Sequence, residues 1–397
     1  MSFNIALGGV NAINTQLEAI SNNIANAGTY GFKSSRANFA SMYADGQPIG
    51  VEVGSMSQTI GTSGGALNTG RSMDAAIQGK GFFVTKDTNG ETLFTRVGIF
   101  GADKDGFVTD SFGRRVQGYA AIPGSTALGA LGDMQIEKGQ LPAQASSTLD
   151  YVGNLSADWP TPAVAPFSPT DPQSYNGSMV SVVYDSQGTK HTVTQYFVKT
   201  NPNEVTVHYT FDGAALPAGS QTVLQFSTAG QLLTPATPVT KNLPVPATVA
   251  PIALAVNYNG TTQFAGQATT TVNASNGYAS GSFVGVALDK DGSVLAQYSN
   301  GLKQRVGTIA LANFPNEDGL VPVSDTSWTV SNASGEPLYD VPGAGQAGTI
   351  NPGSLEQSNV DLTGELVGLM TAQRNYQANT KVFSTQQAMT QALMQAV

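Results

Sequence analysis

The two ends of the chain repeat apolar residues every seven positions, whereas the long middle alternates apolar and polar residues. In the first segment the repeats are Phe3, Val10, Leu17 and Ile24 in one register and Ala6, Ile13, Ile20 and Ala27 in the other. This is the a/d pattern of a coiled-coil seam. It predicts a helix within residues 1–28 that packs against another helix.

A second heptad pattern closes the chain after the turn sequence Asn351-Pro352-Gly353-Ser354. Its repeating residues are Leu355, Leu362, Leu369, Tyr376 and Phe383, with Leu366 beside the first of them. A helix from residue 355 onward would be roughly 60 Å long and the N-terminal helix roughly 40 Å. The two helices can therefore pair, and the predicted contact residues are Phe3, Val10, Ile13, Leu17, Ile20, Ile24, Leu362, Leu366, Leu369, Tyr376 and Phe383.

Both helix tips lack charged side chains, since none occurs in residues 1–17 or in residues 382–397. A solvated coiled coil normally carries Glu and Lys at its e and g positions. One interpretation is a helical pair folded onto its own domain. The neutral outer faces favour the other interpretation, in which both faces become buried against other subunits.

Between the helices the pattern is that of β-strands. Residues 81–97 read as a hairpin around the turn Asp87-Thr88-Asn89-Gly90, and a similar unit surrounds the turn Asp289-Lys290-Asp291-Gly292. Similar segments on both sides of a long middle suggest one β-domain interrupted by an inserted domain. Within the insert, residues 205–211 alternate apolar and polar side chains, which predicts one buried and one solvated face.

The expected fold is multidomain and mainly β, with a terminal α-helical coiled coil and nested β-domains inserted between the N- and C-terminal helices. The predicted boundaries are 1–28 and 355–397 for the helical coiled-coil domain, 29–70 for an extended linking arm, 71–144 and 285–354 for a β-rich domain built from both flanks, and 145–284 for an inserted outer β-domain.

Composition removes several classes of function. Charged residues make up 11% of the chain, the net charge is −9, and the 18 Lys and Arg residues are not clustered, which argues against nucleic acid and anionic membrane surfaces. The absence of cysteine excludes disulfides and thiolate chemistry. The N-terminus lacks a basic region before its apolar residues, and no stretch approaches a membrane span. We therefore expect no membrane insertion, and export without a cleaved signal peptide.

Motifs for catalysis or metal binding are incomplete. Gly61-Thr62-Ser63-Gly64-Gly65 matches the nucleophile-elbow pattern, but it lacks the flanking strand and helix and a partner histidine. His191 and His208 are interpreted as solvated residues. The two Asp-Lys-Asp-Gly runs lack the later ligands of a calcium loop. We predict no catalytic, cofactor-binding or metal site and no enzyme activity.

The segment Ser21-Asn22-Asn23-Ile24-Ala25-Asn26-Ala27, followed by Thr29-Tyr30-Gly31-Phe32-Lys33, closely resembles the signature of flagellar axial proteins, a family of rod, hook and hook-associated subunits. Asn tolerates the left-handed αL conformation and bonds its own backbone, so we expect these residues to end the helix and redirect the chain. The matching positions are Asn22, Asn23, Asn26, Tyr30, Gly31, Phe32 and Lys33.

Two further blocks resemble the same family: residues 68–77, which include Arg71 and Asp74, and the closing segments 353–361 and 372–377, which include Arg374 and Asn375. A middle domain in a chain of nearly 400 residues favours the hook over the rod. The alternatives are a distal rod or hook-associated paralogue and, from another class, a secreted β-rich adhesin.

The resemblance implies a structural subunit that self-assembles into a helical polymer, a flexible hollow tube that transmits motor torque outside the cell. The implied partners are other copies of the chain, the flagellar distal rod, the hook cap, the hook-associated junction protein and the flagellar type III export apparatus.

Overall fold

Two long helices bracket a series of β-strands in this computed structural model. The structure describes residues 2–44, 47–122, 125, 127–217, 219–246 and 248–396. Helix α1 spans Ser2–Ala25 and helix α2 spans Leu362–Ala396, and single 3-10 turns lie at Pro172–Ser174 and Glu317–Gly319. The chain forms a larger unit of Met1–Lys138, Gly285–Gln297 and Lys303–Val397 and a smaller unit of Gly139–Val284 and Tyr298–Leu302.

The strands that precede the smaller unit are β1 (Ser35–Ala44), β2 (Gln47–Gln58), β3 (Ala66–Asn68), β4 (Ala75–Gln78), β5 (Phe82–Lys86), β6 (Thr92–Thr95), β7 (Phe100–Ala102), β8 (Val108–Asp110), β9 (Arg115–Ala121) and β10 (Leu128–Asp133). Those of the smaller unit are β11 (Thr148–Asn154), β12 (Gly177–Tyr184), β13 (Lys190–Asn201), β14 (Glu204–Phe211), β15 (Ala214–Ala215), β16 (Thr222–Phe226), β17 (Leu232–Thr234), β18 (Val239–Leu243), β19 (Ile252–Asn257) and β20 (Thr269–Ser275). The remaining strands are β21 (Phe283–Leu288), β22 (Ser293–Tyr298), β23 (Lys303–Ile309), β24 (Leu311–Asn313), β25 (Val321–Val323), β26 (Ser327–Thr329), β27 (Leu338–Asp340), β28 (Thr349–Pro352) and β29 (Ser354–Glu356).

The hairpin β5–β6 shows how local sequence sets the strands of the larger unit. The Asp87 carboxylate accepts hydrogen bonds from the backbone N–H groups of Asn89 and Glu91 at 2.9 and 2.8 Å, and Gly90 takes the left-handed φ of 90° that closes the turn. Phe83 of β5 then lies opposite Thr95 of β6. The predicted hairpin is confirmed.

Strands from both flanks of the chain form one sheet in the larger unit, in the order β21-β22-β23-β9-β5-β6-β26-β25. The pairing of Leu311 with Phe83 shows that residues far apart in sequence share this sheet. Its core includes Phe82, whose ring contacts Trp328 edge to face at 5.5 Å between centroids. The two similar flanking segments thus lie in the same sheet, where β5 pairs with β6 and β22 pairs with β23.

The smaller unit contains two sheets, ordered β18-β19-β11-β20 and β12-β13-β14-β16-β17, whose inner faces share one hydrophobic cluster. Val205 and Val207 of β14 are fully buried, as their alternation predicts. The opposite face is not solvated as expected, because Thr206 and Thr210 are also buried. His208 on this face stacks against Phe167 at 4.3 Å between ring centroids, so a loop covers part of it.

Two predicted boundaries are wrong. The predicted arm at residues 29–70 is not a single extended segment: within it, strands β1 and β2 pair as an antiparallel two-stranded sheet that packs against α1. Leu355 is not helical, because β29 pairs with β3 and places Leu355 opposite Leu67. Helix α2 begins only after Asp361, whose carboxylate accepts a hydrogen bond from the Thr363 N–H at 3.1 Å.

His191 is not a solvated residue, because it lies between two carboxylates of the smaller unit. Its Nδ1 is 2.7 Å from Asp212 Oδ2 and its Nε2 is 3.4 Å from Asp185 Oδ2. Burial opposes the charged imidazolium, but the hydrogen bonds to Asp212 and Asp185 outweigh it and raise the pKa of His191. At His208 burial likewise disfavours the charged imidazolium, and there it lowers the pKa.

We expect His191→Gln to destabilise the smaller unit below about pH 6.5, by about 1 kcal/mol, and to have less effect above pH 8. A raised folded-state pKa contributes stability that is fully present below the unfolded-state pKa and is lost as pH rises through the folded value. Urea unfolding at several pH values measures this dependence. His208→Gln is the control: its lowered pKa predicts the opposite trend, and equal pH profiles for the two variants would contradict both assignments.

Candidate assembly site

Helices α1 and α2 pack against each other in antiparallel directions. Ile13, Ile20 and Ala372 form the buried centre of the contact, and Leu17, Ile24 and Leu369 pack around it. The helices approach closely where side chains are small: a Cβ atom on Gly9 would lie 3.0 Å from Asn379 Oδ1, and one on Gly368 would lie 3.5 Å from Ile20 Cδ1. The seam of α2 therefore passes through glycine, alanine and asparagine as well as Leu369.

The heptad interpretation of α2 placed three residues wrongly. Leu362, Leu366 and Tyr376 are exposed rather than packed against α1. Val10 of α1 and Phe383 of α2 are half-buried, and the side chain of Phe3 lies outside the described residues. The prediction followed the large apolar residues and therefore omitted Gly368 and Ala372. Small residues allow close helix contact but contribute little to hydrophobic periodicity.

Helix α2 carries large apolar side chains that α1 does not cover. Of its residues with a described burial, Ala372 alone is buried. The exposed large apolar side chains of α2, between 36% and 75% accessible, are Leu362, Leu366, Val367, Met370, Tyr376, Val382, Met389 and Met394. They are distributed around the helix, and large apolar side chains left exposed in this number are typical of a helix that contacts another molecule.

Asn23 connects both helices to the hairpin β1–β2. Its side chain is 1% exposed, and its Nδ2 donates to Glu365 Oε1 of α2 and to the Ser35 carbonyl, both at 2.8 Å. Its Oδ1 accepts from the Ser35 N–H at 2.9 Å. A buried amide satisfied on both sides fixes the relative positions of the three segments, because any displacement leaves polar atoms unpaired.

A buried charge cluster of Lys33, Arg96 and Glu356 begins two residues before Ser35, and we call this cluster together with Asn23 the junction. Lys33 Nζ is 2.6 Å from Glu356 Oε1, and Arg96 Nη1 is 3.2 Å from Glu356 Oε2. All three side chains are at most 2% exposed. Lys33 also donates to the Thr62 carbonyl at 2.8 Å. Burial lowers the pKa of Lys33, although the Glu356 carboxylate opposes that change.

We expected asparagine in the left-handed conformation at the turn after α1, and this prediction is wrong: Asn22, Asn23 and Asn26 are not left-handed. Asn26 Nδ2 instead donates to the carbonyl and side-chain oxygens of Asn22, at 3.0 and 2.9 Å. The left-handed position is Gly31, with φ 68°, where a Cβ atom would lie 3.0 Å from the backbone of Arg96. Tyr30 and Phe32 on either side are half-buried.

The other predicted motif residues do not join this junction. Asp74 is buried and accepts from Thr69 Oγ1 at 2.7 Å, with the exposed Arg71 3.6 Å away. Arg374 and Asn375 lie on the exposed surface of α2. Asn375 lines an open groove of about 410 Å³ between α1, α2 and the hairpin β1–β2.

Sequence reasoning missed three residues that organise the junction: Glu356, Arg96 and Asn359. Asn359 Oδ1 accepts from the Ser34 N–H at 2.8 Å, and its Nδ2 donates to the carbonyls of Thr59 and Thr62. Glu356 and Asn359 lie in the C-terminal motif at residues 353–361. Because charged residues are scarce in this chain, a charged residue inside a motif was a candidate for a structural role. The Gly61–Gly65 loop is part of the same junction, since the Gly64 N–H donates to Glu356.

Within the described ranges, no group of three or more His, Asp or Glu residues is placed to hold a metal ion. In the same part of the chain, neither helix is long and apolar enough to cross a membrane.

Four family models match the chain in sequence order. Residues 3–33 match "Flagella basal body rod protein", and residues 76–145 match "Flagellar hook protein FlgE/F/G D1 domain". Residues 154–278 match "Flagellar basal body protein FlaE D2 domain", and residues 351–396 match "Flagellar basal body rod FlgEFG protein C-terminal". The matches at the ends cover both helices, and the third covers most of the smaller unit.

A solved structure shows a similar fold. The chain resembles the crystal structure of Helicobacter pylori flagellar hook protein FlgE2 with a TM-score of 0.53 and 13% sequence identity. The similarity covers 73% of this chain and 100% of that one.

Relatives of higher identity extend over nearly the full length. The flagellar hook protein FlgE of Salmonella typhimurium is 39% identical over 395 residues, and that of Escherichia coli is 38% identical, each comparison covering 97% of both chains. The flagellar hook protein FlgE of Brucella abortus is 33% identical and covers 95% of this chain and 94% of its own. The chain therefore belongs to the family of flagellar hook proteins, FlgE.

Proposed function

We propose that the chain is a structural subunit of the bacterial flagellar hook and that it polymerises into a hollow, bendable tube. The observation that supports this most directly is the set of large apolar side chains on α2 that α1 leaves exposed. Burial of a half-exposed Leu or Met contributes on the order of 1 kcal/mol. Several such residues on one helix favour association with further copies of the chain.

The neutral tips of the helices support the same proposal. The first charged residue along α1 is Glu18, and the last along α2 is Lys381. Ions would have to be desolvated when a subunit contact forms, whereas the Asn, Gln, Ser and Thr residues present there can exchange water for hydrogen bonds to a neighbour. In the tube, the terminal helices form the inner layer and α2 faces the channel. Because the helix tips are uncharged, the channel wall forms few ion pairs with a polypeptide that passes through it.

Bending requires neighbouring subunits to slide while the inner layer of helices holds. The β-rich parts outside that layer shift against their neighbours by shear between packed surfaces. Such a tube acts as a universal joint that transmits torque from the motor to the filament. The partners of this subunit are the distal rod, the hook cap, the hook-associated junction protein and the flagellar type III export apparatus, and the assembled subunit lies outside the cell.

We expect Met370→Asp to abolish polymerisation while leaving the monomer as stable as the wild type. Met370 is 52% exposed, so the carboxylate stays solvated in the monomer, but a subunit contact would bury it without a partner. Electron microscopy of hooks, in cells where the variant is the sole hook subunit, measures assembly. Thermal unfolding of the purified chain measures monomer stability.

Met370→Leu is the matched control, since it keeps the side chain apolar, and hooks of normal length are expected. Hooks of normal length from Met370→Asp would show that this face of α2 is not a subunit contact. Immunogold labelling of isolated hook and basal-body complexes separates a hook subunit from a rod subunit, because the label would fall on the curved segment in one case and on the straight rod in the other.

A further inference from the structure

The chain contains the chemically labile dipeptide Asn-Gly five times. Asn is followed by Gly at positions 89, 176, 259, 276 and 300. In such a pair the Gly backbone nitrogen can attack the side-chain carbonyl carbon of Asn, because Gly offers no side chain to block the approach. The rate depends on whether the folded chain lets the amide reach the attacking nitrogen.

Four of the five amides are held by hydrogen bonds. Asn176 Nδ2 donates to the Pro160 carbonyl at 2.7 Å, and Asn300 Nδ2 donates to the Ala279 carbonyl at 2.7 Å. Asn276 Oδ1 accepts from two backbone N–H groups, at 2.9 and 3.0 Å. Asn89 Nδ2 donates to Asp87 Oδ2 at 3.0 Å. Each contact must break before the side chain can rotate toward its own glycine.

Asn259 differs from the other four. It is exposed, and its side-chain amide makes no hydrogen bond to any residue that the structure describes. It lies in a turn closed by the Thr261 N–H, which donates to the Tyr258 carbonyl at 3.0 Å. The Gly260 N–H has no acceptor among the described residues, and Gly260 takes a left-handed φ of 88°. Both reacting groups are therefore free.

We propose that Asn259 is a site of spontaneous deamidation in the folded protein. The Gly260 nitrogen forms a bond to Cγ of Asn259 and gives up its proton to solvent, the Cγ–Nδ2 bond breaks, and ammonia leaves. Water then opens the resulting five-membered succinimide at either carbonyl and yields aspartate or isoaspartate. The product adds one negative charge beside an open groove of about 380 Å³ that Asn259 helps to line.

Peptide mapping by mass spectrometry, after incubation of the purified full-length chain at mildly alkaline pH, tests the proposal. Asn259 is expected to deamidate at least about tenfold faster than the other four Asn residues. In strong denaturant the five rates should converge, because the anchoring hydrogen bonds are lost. An unmodified Asn259, or a rate equal to those of the anchored residues in the folded chain, would overturn the proposal.

Asp87→Ala supplies a matched test of the anchoring argument. It removes the acceptor of the Asn89 side chain, while the Gly90 N–H keeps its bond to the Asp87 carbonyl at 3.2 Å, so deamidation at Asn89 should accelerate but stay slower than at Asn259. Asn259→Gln should leave no fast-reacting site, since the longer side chain forms the cyclic intermediate far more slowly. An unchanged rate at Asn89 in the Asp87→Ala variant would show that the side-chain hydrogen bond does not limit the reaction there.

Discussion

Replacing Glu356 by alanine is expected to destabilise the larger unit by about 3–5 kcal/mol. The carboxylate is 2% exposed and faces Lys33 and Arg96, so its removal leaves two buried cations without a counter-charge. It also removes the acceptor of the Gly64 N–H. Denaturant unfolding, followed by a signal from Trp328 in the core of this unit, measures the loss.

Two further variants separate charge from packing at this site. Glu356→Gln keeps the shape of the side chain but removes its charge, so most of the loss should remain. Asp133→Ala breaks a partly exposed pair, in which Asp133 Oδ2 lies 2.7 Å from Arg115 with the two side chains 29% and 48% accessible; the Gln117 amide loses Asp133 as an acceptor but keeps the Arg115 carbonyl, so the cost should be about 1 kcal/mol. If Glu356→Ala cost no more than Asp133→Ala, the buried cluster would not hold the junction together.

Ala372→Asp is expected to separate α2 from α1 and to abolish polymerisation. Ala372 is 1% exposed in the contact with Ile13 and Ile20, so the new carboxylate would be buried without a partner, at a cost of several kcal/mol. That cost is larger than the stabilisation expected from the small apolar contact between the two helices. Limited proteolysis should then release the helices, and electron microscopy should show no hooks.

The β-rich part of the Ala372→Asp variant should keep its unfolding temperature, because the helix contact lies outside its core. Gln373→Asp is the matched control: the residue is exposed on the adjacent position of α2, so the helix pair should stay intact and resist the protease. Protection of α2 from the protease in Ala372→Asp would contradict the packing described here.

Local patterns predicted much of the fold correctly. The turns at Asp87–Gly90 and Asp289–Gly292 were identified because Asp and Gly act through their own backbone neighbours. The alternation at Val205 and Val207 identified a strand with one buried face.

The candidate site was predicted only in part. Asn23 and Lys33 were identified by resemblance, and the structure gives each a physical role. The seam of α2 was misplaced because Gly368 and Ala372 owe their positions to the fit of two helix surfaces, which hydrophobic periodicity does not report. Glu356 and Arg96 were missed because charged residues are seldom buried, and only the position of Glu356 inside a motif distinguished it from a solvated charge.

From the sequence alone follow the two terminal helices, the mainly β middle, the neutral tips and the family resemblance, because each depends on residues close together in the chain. The tertiary structure decided which faces of the helices meet, that α2 keeps large apolar side chains exposed, and that Lys33 lies against Glu356, which is 323 positions away. Such contacts depend on which distant segments the fold brings together, and the free energy of burying a charge is set by the partners it finds there.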